Sequence, residues 1–326
     1  MNTKHILYAL ILVVVLVSSV AIVYIYYFSQ QSATQGPITI TDDLGYVTTL
    51  DTVPQRIVSM APANTQFIFA LGVGDKVVGV TQYDDYPYDF SAWFEAGNMT
   101  NIGGFSTPNI ETIVSLEPDL ILATTIHEGK ITPNLRSMGY KVITTNPNSI
   151  NDIYKDITML GKATGAQDKA NELINQISSQ ISDIQSKIAA ANIADKPTVY
   201  YEVYFDESGI MTAGSTSWIN DVIAKAGGIN IFADLEGQYP TTSSEVIVQR
   251  NPSVILLPTN MGTGTPSYGS VDDVKARSGW NTIDAIVNNR LFVVEQDLFN
   301  QPGPRVGDQV QAVAACLYPT LITPPE

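Results

Sequence analysis

The residues best suited to chemistry are aromatic, and their spacing places them at the ends of strands. Tyr83 follows the apolar stretch 77–80 by three residues and opens the ring-rich segment 82–94 (QYDDYPYDFSAWF). Tyr204 and Phe205 stand just past the strand predicted over 198–203, and Phe105, Tyr239 and Phe299 fall in other predicted loops. Ligands of open α/β sheets bind beyond the carboxyl ends of the strands, where a tyrosine offers a broad apolar face and a hydroxyl. Each ring taken singly is as readily loop packing, but the set converges on one sheet edge and points to a ligand cleft. Templates for covalent or metal chemistry are missing. His5 and His127 are the only histidines, so no histidine-based zinc site or Ser-His-Asp triad can be assembled. Gly72-Val-Gly74 ends a helix and is no phosphate loop. With 32 acidic residues, pairs of carboxylates arise by abundance alone, which leaves a surface carboxylate hydrolase only as a remote alternative.

A second pattern is a repeat. Glu111 and Glu245 each open a short predicted helix, a proline follows seven residues later at Pro118 and Pro252, and an apolar run then reads as a buried parallel strand. Segments 67–80 and 220–232 make another pair, each an amphipathic helix, a glycine stop and a short strand. Two matches in the same order predict two similar α/β lobes with parallel sheets and a ligand between them. The first lobe, 38–150, holds a hairpin over 38–50, strands at 56–59, 77–80, 120–123 and 141–144, and helices at 66–71, 109–116 and 132–138. Apolar residues at helical spacing fill 151–195, with a break near Gly161 and Gly165. The stretch 166–191 has no glycine or proline and predicts one helix of about 26 residues, roughly 39 Å long, able to bridge the lobes. The second lobe, 196–326, follows with strands at 198–203, 229–231, 254–257 and 291–294, helices at 217–226, 244–249 and 307–318, and a surface loop over 261–270.

Segment 1–37 stands apart. No charged residue occurs from 6 to 28, and 23 residues at about 1.5 Å each span roughly 34 Å, the reach of a membrane helix or a long signal peptide. Tyr24, Tyr26 and Tyr27 crowd one end as interfacial anchors do, and Lys4 precedes the span, so the reading is a single-pass anchor with an extracytoplasmic body. Residues 29–37 form a polar spacer. The one cysteine, Cys316, lies in the apolar run 312–317, which excludes a lipid attached just after the span and any intrachain disulfide. Exposure outside the cell would also make the sequon at Asn98 available. A net charge of −15 excludes nucleic acid as a partner, whose backbone demands basic surfaces.

Segments 56–65 (RIVSMAPANT), 69–80 (FALGVGDKVVGV), 109–122 (NIETIVSLEPDLIL) and 303–306 (GPRV) resemble the signature blocks of the substrate-binding proteins of ABC importers for cobalamin and iron-siderophore complexes. The resemblance runs in order from about 38 to 322. It implies two α/β lobes joined by a long rigid helix, with the ligand in the cleft. It further implies no enzymatic activity and no cofactor, a monomeric receptor, and as partner a dimeric permease with its ATPase subunits. By the same resemblance, Glu111 and Glu245 match the glutamates that dock onto permease arginines. Tyr83, Phe105 and Tyr239 match cleft aromatics, the last two in place of tryptophans, and Asp297 matches a polar contact. Gln66 stands where the family's first helix usually has glutamate. Anionic ferric catecholates need several cations in the cleft, and here Arg305 is the main basic candidate, either toward the ligand or paired with a neighbouring carboxylate. A bulky ligand of little charge, a corrinoid such as cobalamin, fits better, with an iron-siderophore or haem-type complex as the alternative.

Overall fold

The computed structural model describes residues 36–206, 209–259 and 269–325. The segment read as a membrane anchor, and most of the predicted 261–270 loop, lie outside the described residues. Among those described, no helix is long and apolar enough to cross a membrane.

The hairpin forms as the alternation predicts: β1 (Ile38–Thr41) pairs antiparallel with β2 (Val47–Leu50). Asp42 holds the turn, its Oδ1 accepting from the N–H groups of Leu44 and Tyr46. Next come β3 (Ile57–Ser59), β4 (Val77–Val80), β5 (Thr100–Asn101), β6 (Leu120–Thr124) and β7 (Val142–Thr145), an all-parallel sheet in the order β5-β4-β3-β6-β7. Helices α1 (Pro62–Ala70), α2 (Ser91–Glu95), α3 (Ile110–Ser115) and α4 (Ile131–Ser137) connect these strands. The first helix begins four residues earlier than predicted, because Pro62 sits at its first position, where the missing N–H costs nothing.

Past β7 the chain runs through α5 (Ile150–Thr164) and α6 (Gln167–Ala190). Gly165, in the left-handed region at φ 73, ends α5, as the glycine spacing anticipated. The two helices approach so closely at the turn that a Cβ on Gly161 would lie 2.5 Å from Ala170 Cβ.

The C-terminal lobe is built on β8 (Thr198–Asp206), with β9 (Gly209–Thr212), α7 (Trp218–Lys225), β10 (Ile229–Asn230), β11 (Thr241–Thr242), α8 (Ser244–Arg250), β12 (Val254–Pro258), α9 (Val271–Lys275), α10 (Asp284–Val287), β13 (Leu291–Val294), α11 (Gln296–Phe299) and α12 (Val306–Leu317). The parallel set β10-β8-β12-β13 repeats the order β4-β3-β6-β7, with corresponding helices between, so the repeat seen in the sequence is a repeat of topology.

This second sheet is mixed, however, and corrects the expectation of parallel strands alone. Strand β8 runs on to Asp206, where a loop was predicted, and β9 pairs back on it antiparallel, followed by β11. Strand β12 holds one edge of β8, so β10 occupies the start of the other edge, and β9 continues along it from Glu202. Aromatic residues favour strands, and the Tyr-Phe pair at 204–205 extends β8 where the sequence reading ended it.

One apolar cluster spans both halves, from Ile40 and Phe67 through Ile157, Ile181 and Trp218 to Leu317. Helix α5 contacts β1, α1 and α7, while α6 lies on α12. The bridge is therefore the pair α5–α6, and the single long helix of the sequence reading supplies only part of it. Two smaller clusters cover the far faces, around Ile113 and Ile121 in the first lobe and around Trp280 and Tyr200 in the second.

Candidate ligand-binding site

Between the lobes lies a cleft with an enclosed volume of about 260 Å³ that opens to solvent at its mouth. Its N-terminal wall comes from the segments that follow the parallel strands: Ala61 to Ala63 after β3, Tyr83 after β4, Phe105 after β5, Thr124 to Ile126 at the end of β6, and Thr145 to Pro147 at the end of β7. The C-terminal wall is Trp218, Gln238, Tyr239 and the loop Asn300 to Pro302. Among the described residues, none lining the cleft carries a charge.

Each ring is held from behind. Thr81 Oγ1 accepts from the Tyr83 N–H at 3.2 Å, and Asp84 Oδ2 in turn accepts from the Thr81 hydroxyl at 2.6 Å. Burial pushes the Asp84 carboxyl up to about 6, against the pull of these hydrogen bonds. Tyr83 itself is 37% exposed and free to meet a ligand. Phe105 is fixed by His127: the Thr124 N–H donates to Nδ1 at 3.0 Å, so the ring proton sits on Nε2 and donates to the Phe105 carbonyl at 2.7 Å. The rings of Phe105 and His127 meet edge to face at 5.6 Å. Burial lowers the His127 pKa, which keeps this strut neutral. Tyr239 meets Trp218 edge to face at 6.0 Å. Its loop is tied to the end of β9, with Thr212 donating to the Pro240 carbonyl and Gly214 to that of Gln238. Glycine is required at 214, since a Cβ would run into the Gly237 carbonyl oxygen and Pro240 Cδ.

The lobes touch on both sides of the cleft. Gln238 Nε2 donates to Asn148 Oδ1 on one side, and on the other Gln66 Nε2 donates to Gln301 Oε1. Arg305 Nε donates to Gln66 Oε1 at 3.2 Å, and the guanidinium stacks on Tyr86 at 3.9 Å.

Of the residues proposed from sequence, the structure thus brings Tyr83, Phe105 and Tyr239 to one cavity. Tyr204 lies on β8, 45% exposed and outside the cleft wall. Phe205, on the same strand, packs under the Arg277 guanidinium at 3.9 Å as part of the C-terminal core. Phe299 is buried behind the wall, stacked on Tyr201, whose hydroxyl donates to Asn300 Oδ1 at 2.8 Å. Arg305 faces Gln66 and Tyr86 in a neighbouring groove. Asp297 belongs to α11, and its side chain lies outside the described residues. Trp218 and the amides Asn146, Gln238, Asn300 and Gln301 are wall residues that the sequence reading passed over. Trp218 is the first residue of α7 after its cap Ser217, and a ring in that place would have been the signal.

Glu111 and Glu245 are both the second residue of their helices, α3 and α8, and both are exposed. Each helix has a side-chain cap, Asn109 accepting from the Thr112 N–H and Ser243 from that of Val246. Hydrogen bonding with Ser243 lowers the Glu245 pKa.

The model of the periplasmic binding protein family matches residues 57–298. This chain belongs to that family. An uncharacterized ABC transporter substrate-binding lipoprotein of Bacillus subtilis is 34% identical over 290 residues, covering 87% of this chain and 86% of the relative. A vitamin B12-binding protein of Vibrio cholerae is 28% identical over 265 residues, 81% of this chain and 88% of the relative. Among solved structures, the periplasmic heme-binding protein RhuT from Roseiflexus sp. RS-1 superposes with a TM-score of 0.70 at 27% identity, covering 81% of this chain and 98% of that one. In this periplasmic binding protein the interlobe cleft is the candidate ligand site.

Proposed function

We propose that this periplasmic binding protein is the receptor of an ABC importer, taking a bulky metal chelate of the corrinoid class into its cleft and delivering it to a dimeric permease with ATPase subunits. The carrying observation is the wall itself: rings from both lobes, Tyr83, Phe105, Trp218 and Tyr239, around a cavity whose described lining has no charge. Flat apolar faces and neutral amides suit a large ligand of low net charge. An uncompensated carboxylate or phenolate there would lose its hydration without gaining a cation. The vitamin B12-binding relative supports a corrinoid, while the resemblance to a heme-binding protein keeps a haem-type or iron-siderophore complex as the second reading.

Residues 1–37 serve as a single-pass anchor and spacer in place of the lipid that the name of the Bacillus relative implies, since no cysteine follows the apolar span. The body, lobes 38–150 and 196–326 with the linking segment 151–195, works outside the membrane as a monomer. It performs no catalysis, and Glu111 and Glu245 present one carboxylate per lobe to the permease. Titration of the purified protein with cyanocobalamin, haemin and a ferric siderophore, followed by tyrosine and tryptophan fluorescence, tests this. Saturable binding of cyanocobalamin is expected; no saturable binding by any of the three would refute the receptor reading.

A further inference from the structure

Asn98 opens the tripeptide Asn98-Met99-Thr100, the sequence that N-linked oligosaccharide transfer requires. The chain holds one other Asn-x-Ser/Thr, Asn251-Pro252-Ser253, and the proline disqualifies it. At Asn98 the local fold presents the acceptor. Helix α2 ends in a Schellman motif, with the Gly97 N–H donating to the Phe94 carbonyl at 3.1 Å and the Asn98 N–H to that of Trp93 at 3.0 Å. Gly97 takes the left-handed conformation at φ 72, and a Cβ built on it would meet nothing within 4 Å, so the surroundings are open. Met99, 3% exposed, is buried in the large apolar cluster, which pins the tripeptide while Asn98 stays exposed.

Asparagine at this position has no structural task. Other asparagines in the chain are used by the fold: Asn101 Oδ1 accepts from the Gly103 N–H at 2.8 Å, Asn109 caps α3, and Asn192, Asn251 and Asn289 occupy positive φ. The Asn98 side chain does none of this, and its amide makes no hydrogen bond among the described residues. The site is also remote from the cleft. All strands of the first sheet run in one direction, and the cleft wall comes from the segments that follow them. Asn98 precedes β5, the outermost strand, whereas Phe105 and Glu111 come after it.

Resting on the extracytoplasmic reading of the body, we propose that Asn98 is a site of N-linked glycosylation, filled by an oligosaccharyltransferase acting outside the membrane on a polyprenyl-phosphate-linked oligosaccharide. The Asn98 amide nitrogen bonds to C1 of the first sugar as the C1–O bond to the lipid phosphate breaks. The lipid phosphate leaves with that electron pair, and the amide proton passes to the transferase. The Thr100 hydroxyl is the second element that the transferase reads. A hydrophilic glycan at this point shields the open edge of β5 against pairing with another chain and leaves the cleft mouth clear.

Mass spectrometry of the full-length protein recovered from its own cells tests this. The peptide that carries Asn98 should be heavier than its sequence mass by one oligosaccharide, at full or nearly full occupancy. Asn98→Gln and Thr100→Val should each abolish the addition, whereas Thr100→Ser, which keeps the hydroxyl, should retain it. Asn98→Gln should bind cyanocobalamin as the parent does, which shows that the variant folds. A glycan that persists in Thr100→Val would overturn the sequon assignment. An unmodified parent peptide would overturn the proposal, and protease added to intact cells then separates its causes: a body that is cut leaves the extracytoplasmic reading standing, and a body that is protected overturns both.

Discussion

The guanidinium of Arg305 lies 3.9 Å from the centre of the Tyr86 ring, joining the C-terminal lobe to the aromatic loop of the N-terminal lobe. The same side chain donates to Gln66, so the cation nearest in sequence to the cleft loop is engaged in holding the lobes together. Arg305→Met should therefore lower the unfolding free energy by about 1 to 3 kcal/mol, from the lost ring contact and the lost charged hydrogen bond. Chemical denaturation would measure it. Full stability with abolished ligand binding would instead make Arg305 a ligand contact.

Tyr83→Ala and Tyr239→Ala should each weaken ligand binding by about 1 to 3 kcal/mol, the usual cost of removing an aromatic anchor. The strand residues give the contrast. Tyr204→Ala should leave affinity unchanged, and Phe205→Ala should cost stability, roughly 2 kcal/mol, below the range for a fully buried ring, again without touching affinity. Fluorescence titration beside thermal melts separates the two effects, and loss of affinity at Tyr204 would move the site toward β8.

Asp156, on α5, is fully buried, and neither carboxyl oxygen receives a hydrogen bond. Burial first, and then the adjacent Asp43 carboxylate, raise its pKa from 3.8 to about 9. A carboxyl raised on folding stabilises the native state fully below its unfolded value, and that contribution falls away as pH rises through about 9. Asp156→Asn stays neutral, so its melting temperature relative to the parent should climb between pH 5 and pH 9 and level off above. Parallel pH profiles would show that Asp156 does not ionise in this way.

Glu111→Lys combined with Glu245→Lys should leave ligand titration nearly unchanged and stop uptake, because like charges at a complementary surface cost several kcal/mol, on the order of the penalties seen at other charged interfaces. Normal uptake by cells that carry only the doubly substituted protein would sink the docking role. Lost ligand binding in the purified variant would assign these glutamates to the fold instead.

The topology was legible where periodicity was unambiguous. The apolar runs 120–123 and 254–257 gave β6 and β12, and the glycine at 165 gave the break between helices. The short strands β5 and β11, of two residues each, carry no periodic signal and could not be read. Tyr204 and Phe205 were misplaced because a strand end and a continued hairpin have the same local composition there. At the site, Tyr83 was found by its distance from a strand. Gln301 and Asn300 were missed because their place in the wall depends on how two lobes meet, which no local pattern encodes.

The unbroken apolar cluster beneath the cleft has a mechanical consequence. Helices α5, α6, α7 and α12 are rooted in it together, so swinging the lobes apart would uncover apolar surface at about 2.5 kcal/mol for each 100 Å². Thermal motion alone then flexes the mouth only slightly, and cargo stays in place through the stiffness of its container. Under the proposed docking, unloading calls for a load applied from outside to both lobes at once, through the first turns of α3 and α8.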